Sequence, residues 1–116
     1  MSGHIELYSK VYFRRPEEGG RETPAFSGYK PSIFFGEKGT LAIIYIEGKT
    51  ENELVPPGKR YSAKVTLLDR EELINELKPG RSFELREGLK VVAEGIIERI
   101  QYLEKKKNKQ GRCIFP

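Results

Sequence analysis

Apolar and polar side chains alternate along much of this chain, and a period of two residues is typical of half-buried β-strands. Residues 5–13 place their aliphatic side chains on one parity and their charged side chains on the other, so that Tyr8 and Tyr12 are expected to cover the outer face. Residues 61–67 repeat the alternation most clearly. Further strands are predicted over residues 32–35, 40–46, 82–86 and 89–100.

Clusters of glycine and proline separate these segments, and only one segment is typical of a helix. Residues 69–77 combine Asp69 and Glu72, which are spaced as in a capping box, with Leu73, Ile74 and Leu77 on one face. The Lys78-Pro79-Gly80 sequence predicts that this short helix ends there. Between the last two strands, Glu87-Gly88 predicts a tight turn, because glycine readily adopts a positive φ.

Roughly six short strands with one short helix predict an all-β fold, a small antiparallel barrel or sandwich. The longest connection, residues 17–31, reads EEGGRETPAFSGYKP. Its glycines and prolines argue against a strand or a helix, whereas Phe26 and Tyr29 need a packing partner and argue against a flexible linker. A long ordered loop between strands is often functional.

The positive charge of the chain is concentrated near its C-terminal end. The whole chain of 116 residues has a formal net charge of +4. Residues 99–116 include six cationic residues and one acidic residue, which gives a net charge of +5. The first 98 residues therefore carry a net charge of −1. We therefore divide the chain into a barrel domain (residues 1–103) and a basic tail (residues 104–116) that includes Lys105, Lys106 and Lys107. The tail is either a non-specific phosphate contact or a solvated extension.

Residue types that support catalysis are scarce. His4 is the only histidine and lies in the first few residues, and Cys113 is the only cysteine, so no metal site of soft ligands is expected. Residues 36–40, GEKGT, lack the Gly-Lys-Ser/Thr ending of a phosphate-binding loop. We expect a non-enzyme without cofactor, metal or nucleotide. A lone cysteine and the absence of a long apolar run or signal-peptide pattern predict a cytoplasmic protein that does not enter a membrane.

Residues 11–35, VYFRRPEEGGRETPAFSGYKPSIFF, resemble the opening of the third, C-terminal domain of bacterial elongation factor Tu. That family has a Val-Tyr strand, an EEGGR-x-TP-x-F loop, a Tyr-Arg-Pro sequence and an aromatic strand. The resemblance continues at Pro57-Gly58, at residues 82–88 (SFELREG) and at residues 93–97 (AEGII). It implies a six-stranded antiparallel β-barrel. The GTPase domain and the second barrel of the factor have no counterpart in this sequence, so GTP hydrolysis is not implied.

The resemblance also implies contacts with the T stem of aminoacyl-tRNA, chiefly through the RNA backbone. The candidate positions are Arg21, Glu22, Thr23, Lys30, Ser32, Thr40, Glu87 and Gly88. Glu22 stands where the family has histidine, Lys30 where it has arginine, and Ser32 where it has glutamine.

Structural roles for the same residues remain open. Gly19 and Gly20 are explained equally well by a turn, and Arg21 by an ion pair with Glu18 or Glu87 that fixes the long loop. The aromatic residues Phe26, Tyr29 and Phe34 are expected in the barrel core.

Two functions therefore remain. One is a translation-related module that binds tRNA or another structured RNA. The other is a protein-interaction module that imitates the third domain of the factor and binds one of its protein partners.

Overall fold

The computed structural model of the protein describes residues 3–68, 71–104, 106–107 and 113–114. The strands are, in chain order, β1 (Gly3–Phe13), β2 (Ala25–Phe26), β3 (Ser32–Phe35), β4 (Lys38–Leu41), β5 (Ile43–Ile46), β6 (Leu54–Val55), β7 (Arg60–Leu68), β8 (Ser82–Glu87), β9 (Lys90–Glu104), β10 (Lys106–Lys107) and β11 (Cys113–Ile114). Two 3₁₀-helices cover Pro16–Glu18 and Glu71–Glu76. Seven strands form one antiparallel sheet in the order β4-β3-β8-β9-β1-β7-β5, while β2 pairs with β6 and β10 with β11.

The two edge strands of this sheet are consecutive in the chain, because only Ala42 separates β4 from β5. Ala42 is buried and its backbone N–H donates to the carbonyl of Pro31 at 3.0 Å. Just beyond it, the backbone N–H of Ile44 donates to the carbonyl of Tyr29 at 2.9 Å. One bent segment thus supplies both edges, and the sheet curls strongly onto itself. With β4 and β5 counted as a single bent strand, this is the all-β, six-stranded antiparallel barrel that the sequence predicts.

Inward-facing aliphatic side chains fill the curled sheet. Along β1, Ile5, Leu7 and Val11 are buried, in agreement with the predicted parity, while Tyr8 and Tyr12 are half-buried on the outer face. Burying one such aliphatic side chain contributes about 1.5–3 kcal/mol to the free energy of folding. The fully buried core also includes Ile33, Phe35, Ile44, Val55, Val65, Leu73, Leu85, Val92 and Ile97.

The predicted helix at residues 69–77 is a 3₁₀-helix of six residues, Glu71–Glu76. Asp69, the expected capping residue, lies outside the described residues. Leu73 and Leu77 are buried, whereas Ile74 is exposed, so the expected three-residue apolar face has only two buried members. A segment this short gains little from helix propagation, and packing of two leucines decides its geometry instead. No helix within the described residues is long and apolar enough to cross a membrane.

Two other differences arise from contacts between segments distant in the chain. The single strand predicted at residues 40–46 is divided at Ala42 by the bend described above. Phe26, expected in the core, is 36 % exposed, because it lies on β2 opposite Leu54 of β6 in a small sheet outside the barrel. The β8–β9 turn agrees with prediction, although it consists of Gly88 and Leu89 rather than Glu87 and Gly88, and Gly88 has a φ of +63°.

Ser27 provides a test of the packing next to the bend at Ala42. Its hydroxyl oxygen is buried and accepts a hydrogen bond of 2.9 Å from the backbone N–H of Ile46. The Ser27→Ala variant leaves that buried donor without its acceptor, and we expect the free energy of unfolding to fall by about 1–3 kcal/mol in urea titrations. The control Ser82→Ala removes an exposed hydroxyl and is expected to change it by less than about 0.5 kcal/mol. Equal effects of the two variants would contradict the role assigned to Ser27.

Candidate binding site at one end of the barrel

The register of β3 brings together candidate residues that are far apart in the sequence. Ser32, the first residue of β3, is the cross-strand partner of Leu41 at the end of β4 and of Arg86 near the end of β8. The neighbours of these partners are the candidates Thr40 and Glu87. We call the surface formed by Lys30, Ser32, Thr40, Glu87 and Gly88 the barrel-end face.

The long loop is attached to this face through the carboxylate of Glu87. One oxygen of that carboxylate, Oε2, accepts hydrogen bonds from Nη1 of Arg21 and from the hydroxyl of Tyr29. The Arg21 guanidinium also lies over the Tyr29 ring, 5.0 Å from its centroid, and donates to the carbonyl of Thr23 at 3.2 Å. Of the two ion pairs considered for Arg21, the structure therefore contains the one with Glu87.

Glu18, the alternative partner of Arg21, has a different role. Its carboxylate accepts hydrogen bonds from the backbone N–H of Arg15 at 2.8 Å and from the hydroxyl of Tyr12 at 2.7 Å, which hold the start of the loop against β1. These two bonds lower the pKa of Glu18. Gly20 packs so closely that a Cβ atom there would lie 2.1 Å from the carbonyl oxygen of Arg14. The Gly-Gly pair is therefore explained by the loop geometry.

Tyr29 is almost fully buried, as expected for a core aromatic residue, and its hydroxyl points to a carboxylate. Burial and the hydrogen bond to Glu87 raise the pKa of Tyr29 well above its ordinary value, because both disfavour the phenolate. Phe34 is only half-buried and lies on the outer face of β3, under the guanidinium of Arg86 at 4.2 Å. The prediction that Phe34 lies in the barrel core is therefore wrong.

The exposed part of the barrel-end face combines polar groups with apolar neighbours. Lys30 and Thr40 line the same groove, of about 520 Å³, together with His4, Leu41, Ile43 and Thr66 among others. Within the described part of the chain, Lys30 forms no ion pair. Leu41 beside Thr40 is 74 % exposed and Leu89 beside Gly88 is 98 % exposed.

The remaining candidate residues are not part of the barrel-end face. Glu22 and Thr23 are exposed on the loop beside Arg21, and the hydroxyl of Thr23 accepts from Nη2 of Arg21 at 3.3 Å. Lys105 lies outside the described residues. Lys106 and Lys107 form β10, which pairs with β11.

Sequence reasoning treated Tyr29 only as core and gave Arg86 no role of its own. The hydroxyl that binds Glu87 and the arginine that covers Phe34 both depend on pairs across strands, which a single sequence does not reveal. The signal that was available is the co-occurrence of the EEGGR loop and the REG hairpin, two motifs that contact each other in the structure.

The family model of the elongation factor Tu C-terminal domain matches residues 1–101. The chain belongs to this family. The EEGGR loop and the REG hairpin, which meet at Glu87, both lie inside the matched region. The match also covers the seven-stranded sheet except for the last three residues of β9. Membership indicates a translation-related binding module, and the domain of elongation factor Tu from which the family takes its name is a non-catalytic β-barrel.

The shared carboxylate can be tested with a double-mutant cycle. Arg21→Ala and Glu87→Ala each remove the ion pair, and we expect each to lower the free energy of unfolding by about 1–2 kcal/mol. The double variant is expected to lose clearly less than the sum, because both changes remove the same interaction. Urea titrations measure all three. Glu22→Ala in the same loop is the control and is expected to have little effect; strict additivity would contradict the pairing.

The raised pKa of Tyr29 makes stability depend on alkaline pH. Tyrosine in the unfolded chain ionises at pH ~10, whereas Tyr29 in the folded protein stays protonated to higher pH. The stabilising contribution of Tyr29 is therefore complete below pH ~10 and is lost as the pH rises further. We expect the stability of Tyr29→Phe, lower at neutral pH, to decline less steeply than that of the unmodified protein above this pH. Thermal unfolding across that range measures the difference, and parallel curves for the two proteins would contradict it.

Proposed function

We propose that this protein is a non-catalytic, translation-related module whose barrel-end face contacts the backbone of tRNA or another structured RNA. The observation that supports the proposal is the register of β3, which pairs Ser32 with Leu41 and Arg86, the chain neighbours of Thr40 and Glu87. Lysine amines, serine and threonine hydroxyls and backbone N–H groups are the donors that proteins use to bind phosphate and sugar oxygens. Family membership supports a role in translation.

Within this face, the residues divide into contacting and supporting groups. Lys30 supplies the positive charge, and Ser32, Thr40 and the exposed Gly88 supply neutral donors. Arg21 binds Glu87 and Thr23, so it holds the loop in place and its charge is largely compensated. The basic residues 105–107 add salt-dependent attraction to RNA in this proposal.

A protein partner is the second candidate, and the exposed leucines favour it. Leu41 and Leu89 flank two of the proposed contact residues, and exposed apolar side chains rimmed by polar groups are typical of protein interfaces. In this alternative the barrel-end face imitates the third domain of elongation factor Tu and binds one of its protein partners. Both candidates belong to the cytoplasm, a location that the single cysteine also favours.

Charge reversal at Lys30 tests the first candidate. We expect Lys30→Glu to weaken binding of fluorescently labelled tRNA roughly tenfold at low salt, because phosphate contacts dominate such affinities. Lys78→Glu, an exposed lysine outside the face, makes the same change of charge and is expected to have a much smaller effect. If both variants weaken binding equally, the barrel-end face does not contact the RNA.

The leucines separate the second candidate from the first. Leu41→Ser combined with Leu89→Ser is expected to leave tRNA affinity nearly unchanged if RNA is the ligand. The second candidate replaces the first if two results are obtained together. The unmodified chain does not bind tRNA, and the double variant no longer binds a protein partner that the unmodified chain binds even at high salt. A chain ending at residue 103 shows how far the basic tail contributes, and we expect it to bind tRNA more weakly.

A further inference from the structure

A diagonal line of cations crosses the outer face of the sheet on β7, β1 and β9. Arg60 on β7 is the cross-strand partner of Tyr12, and Arg99 on β9 is the partner of Tyr8. Lys10 lies between these two tyrosines on β1. Diagonal neighbours on one face of an antiparallel sheet are about 7–8 Å apart. We call Arg60, Lys10 and Arg99 the basic stripe; it alternates with the two tyrosines and contains no residue of the barrel-end face.

A bulge in β9 determines which side chain ends the stripe. The register between β1 and β9 shifts after Tyr8, so that Tyr8 faces Arg99 while Ser9 faces Ile97, and Glu98 is the additional residue. Bulges commonly redirect a side chain. Without this one, the acidic Glu98 would stand opposite Tyr8. With it, the Arg99 guanidinium lies over the Tyr8 ring, 4.0 Å from the centroid, and is exposed to solvent.

The stripe retains its positive charge because most nearby carboxylates bind other groups. Glu6 accepts a hydrogen bond from the hydroxyl of Tyr8 at 3.0 Å and pairs with Lys64 at 3.5 Å. Glu94 pairs with Arg14 at 2.8 Å. In the described ranges none of the three stripe residues forms an ion pair. The other acids next to the stripe are Glu98, beside Arg99, and Glu18, which accepts a hydrogen bond from the hydroxyl of Tyr12 at 2.7 Å.

The stripe is continuous with a groove that leads toward the barrel-end face. Lys10 and Arg60 line this groove of about 470 Å³, with Tyr12, Phe34 and Arg86 among its other residues. Arg86 stacks on Phe34, is neutralised by Glu84 at 2.6 Å, and is the cross-strand partner of Ser32. At the other end, β9 continues past Arg99 to Glu104.

We propose that the basic stripe is a second RNA-contacting surface, which holds a single-stranded segment. Lys10 and Arg60 bind successive phosphates, and the exposed guanidinium of Arg99, stacked on Tyr8, offers a flat surface for a base. Cations that follow the backbone together with planar groups that stack on bases are the usual elements of single-strand binding. An acidic peptide would use the charges but not the stacked pair. The choice of RNA as the ligand rests on the proposed function, whereas the residues are independent of it.

The test uses a labelled single-stranded oligouridylate and the full chain. In Lys10→Gln/Arg60→Gln/Arg99→Gln we expect affinity at low salt to fall roughly tenfold or more. The slope of log K against log salt is expected to become shallower by about 1.4, because Lys10 and Arg60 each bind one phosphate and each phosphate contact on a single strand contributes about 0.7. The control Lys38→Gln/Lys49→Gln/Lys78→Gln removes the same charge elsewhere and is expected to lose much less. Thermal unfolding checks that both variants remain folded.

Two further measurements separate stacking from charge and RNA from other anions. Arg99→Lys keeps the charge but removes the planar group, and we expect weaker binding with an unchanged salt dependence. Polyglutamate is expected to compete poorly. Equal losses in the stripe variant and its control, or polyglutamate binding as tight as that of the oligonucleotide, would overturn the inference.

Comparison with Lys30→Glu keeps the two proposals distinguishable. If Lys30→Glu weakens tRNA binding and the stripe variant binds oligouridylate normally, the stripe proposal is wrong and the barrel-end proposal stands. The reverse pattern removes the barrel-end proposal and leaves the stripe. A chain that binds neither RNA contradicts both.

Discussion

At Ala42 one segment of the chain passes from one edge of the sheet to the other, and both the closure of the barrel and the position of the long loop depend on this bend. Ala42 itself is buried at this bend. The N–H of Ala42 bonds to Pro31, and the carbonyl of Ile44 accepts from the N–H of Gly28 at 2.6 Å. The end of the loop therefore pairs with the bent segment that supplies both edges of the sheet.

The same loop is held a second time at Glu87, through Arg21 and Tyr29. Two attachments at different points leave little freedom to a segment that its glycines would otherwise make mobile. For a binding module this has a direct consequence, since a surface that is already ordered loses less conformational entropy when a ligand binds. The EEGGR motif therefore orders the loop beside the barrel-end face, where Lys30 and Gly88 are exposed.

Local patterns were sufficient for the long strands β1, β7, β8 and β9, whereas contacts between distant segments could not be predicted from the sequence. Alternation gave β1 and β7 almost residue by residue, because one face of each strand is buried and the other is not. The bend at Ala42 and the pairing of Phe26 with Leu54 depend on partners far along the chain. The candidate site followed the same rule: its residues came from motifs, but the contact between Arg21 and Glu87 was only one of two open alternatives. Nothing in the periodicity of β9 indicated the bulge that turns Arg99 toward Tyr8.

Net charge alone argues against RNA binding by a barrel whose first 98 residues carry −1. A ligand, however, responds to the local potential, and ion pairs determine how that potential is distributed. On the outer face Glu6, Glu84 and Glu94 are each bound by a lysine or arginine close in space, so they offset those cations rather than the stripe. Lys10 and Arg60 are left uncompensated next to a groove. A nearly neutral domain can thus carry a positive surface, and the salt dependence of binding measures that surface where the overall charge does not.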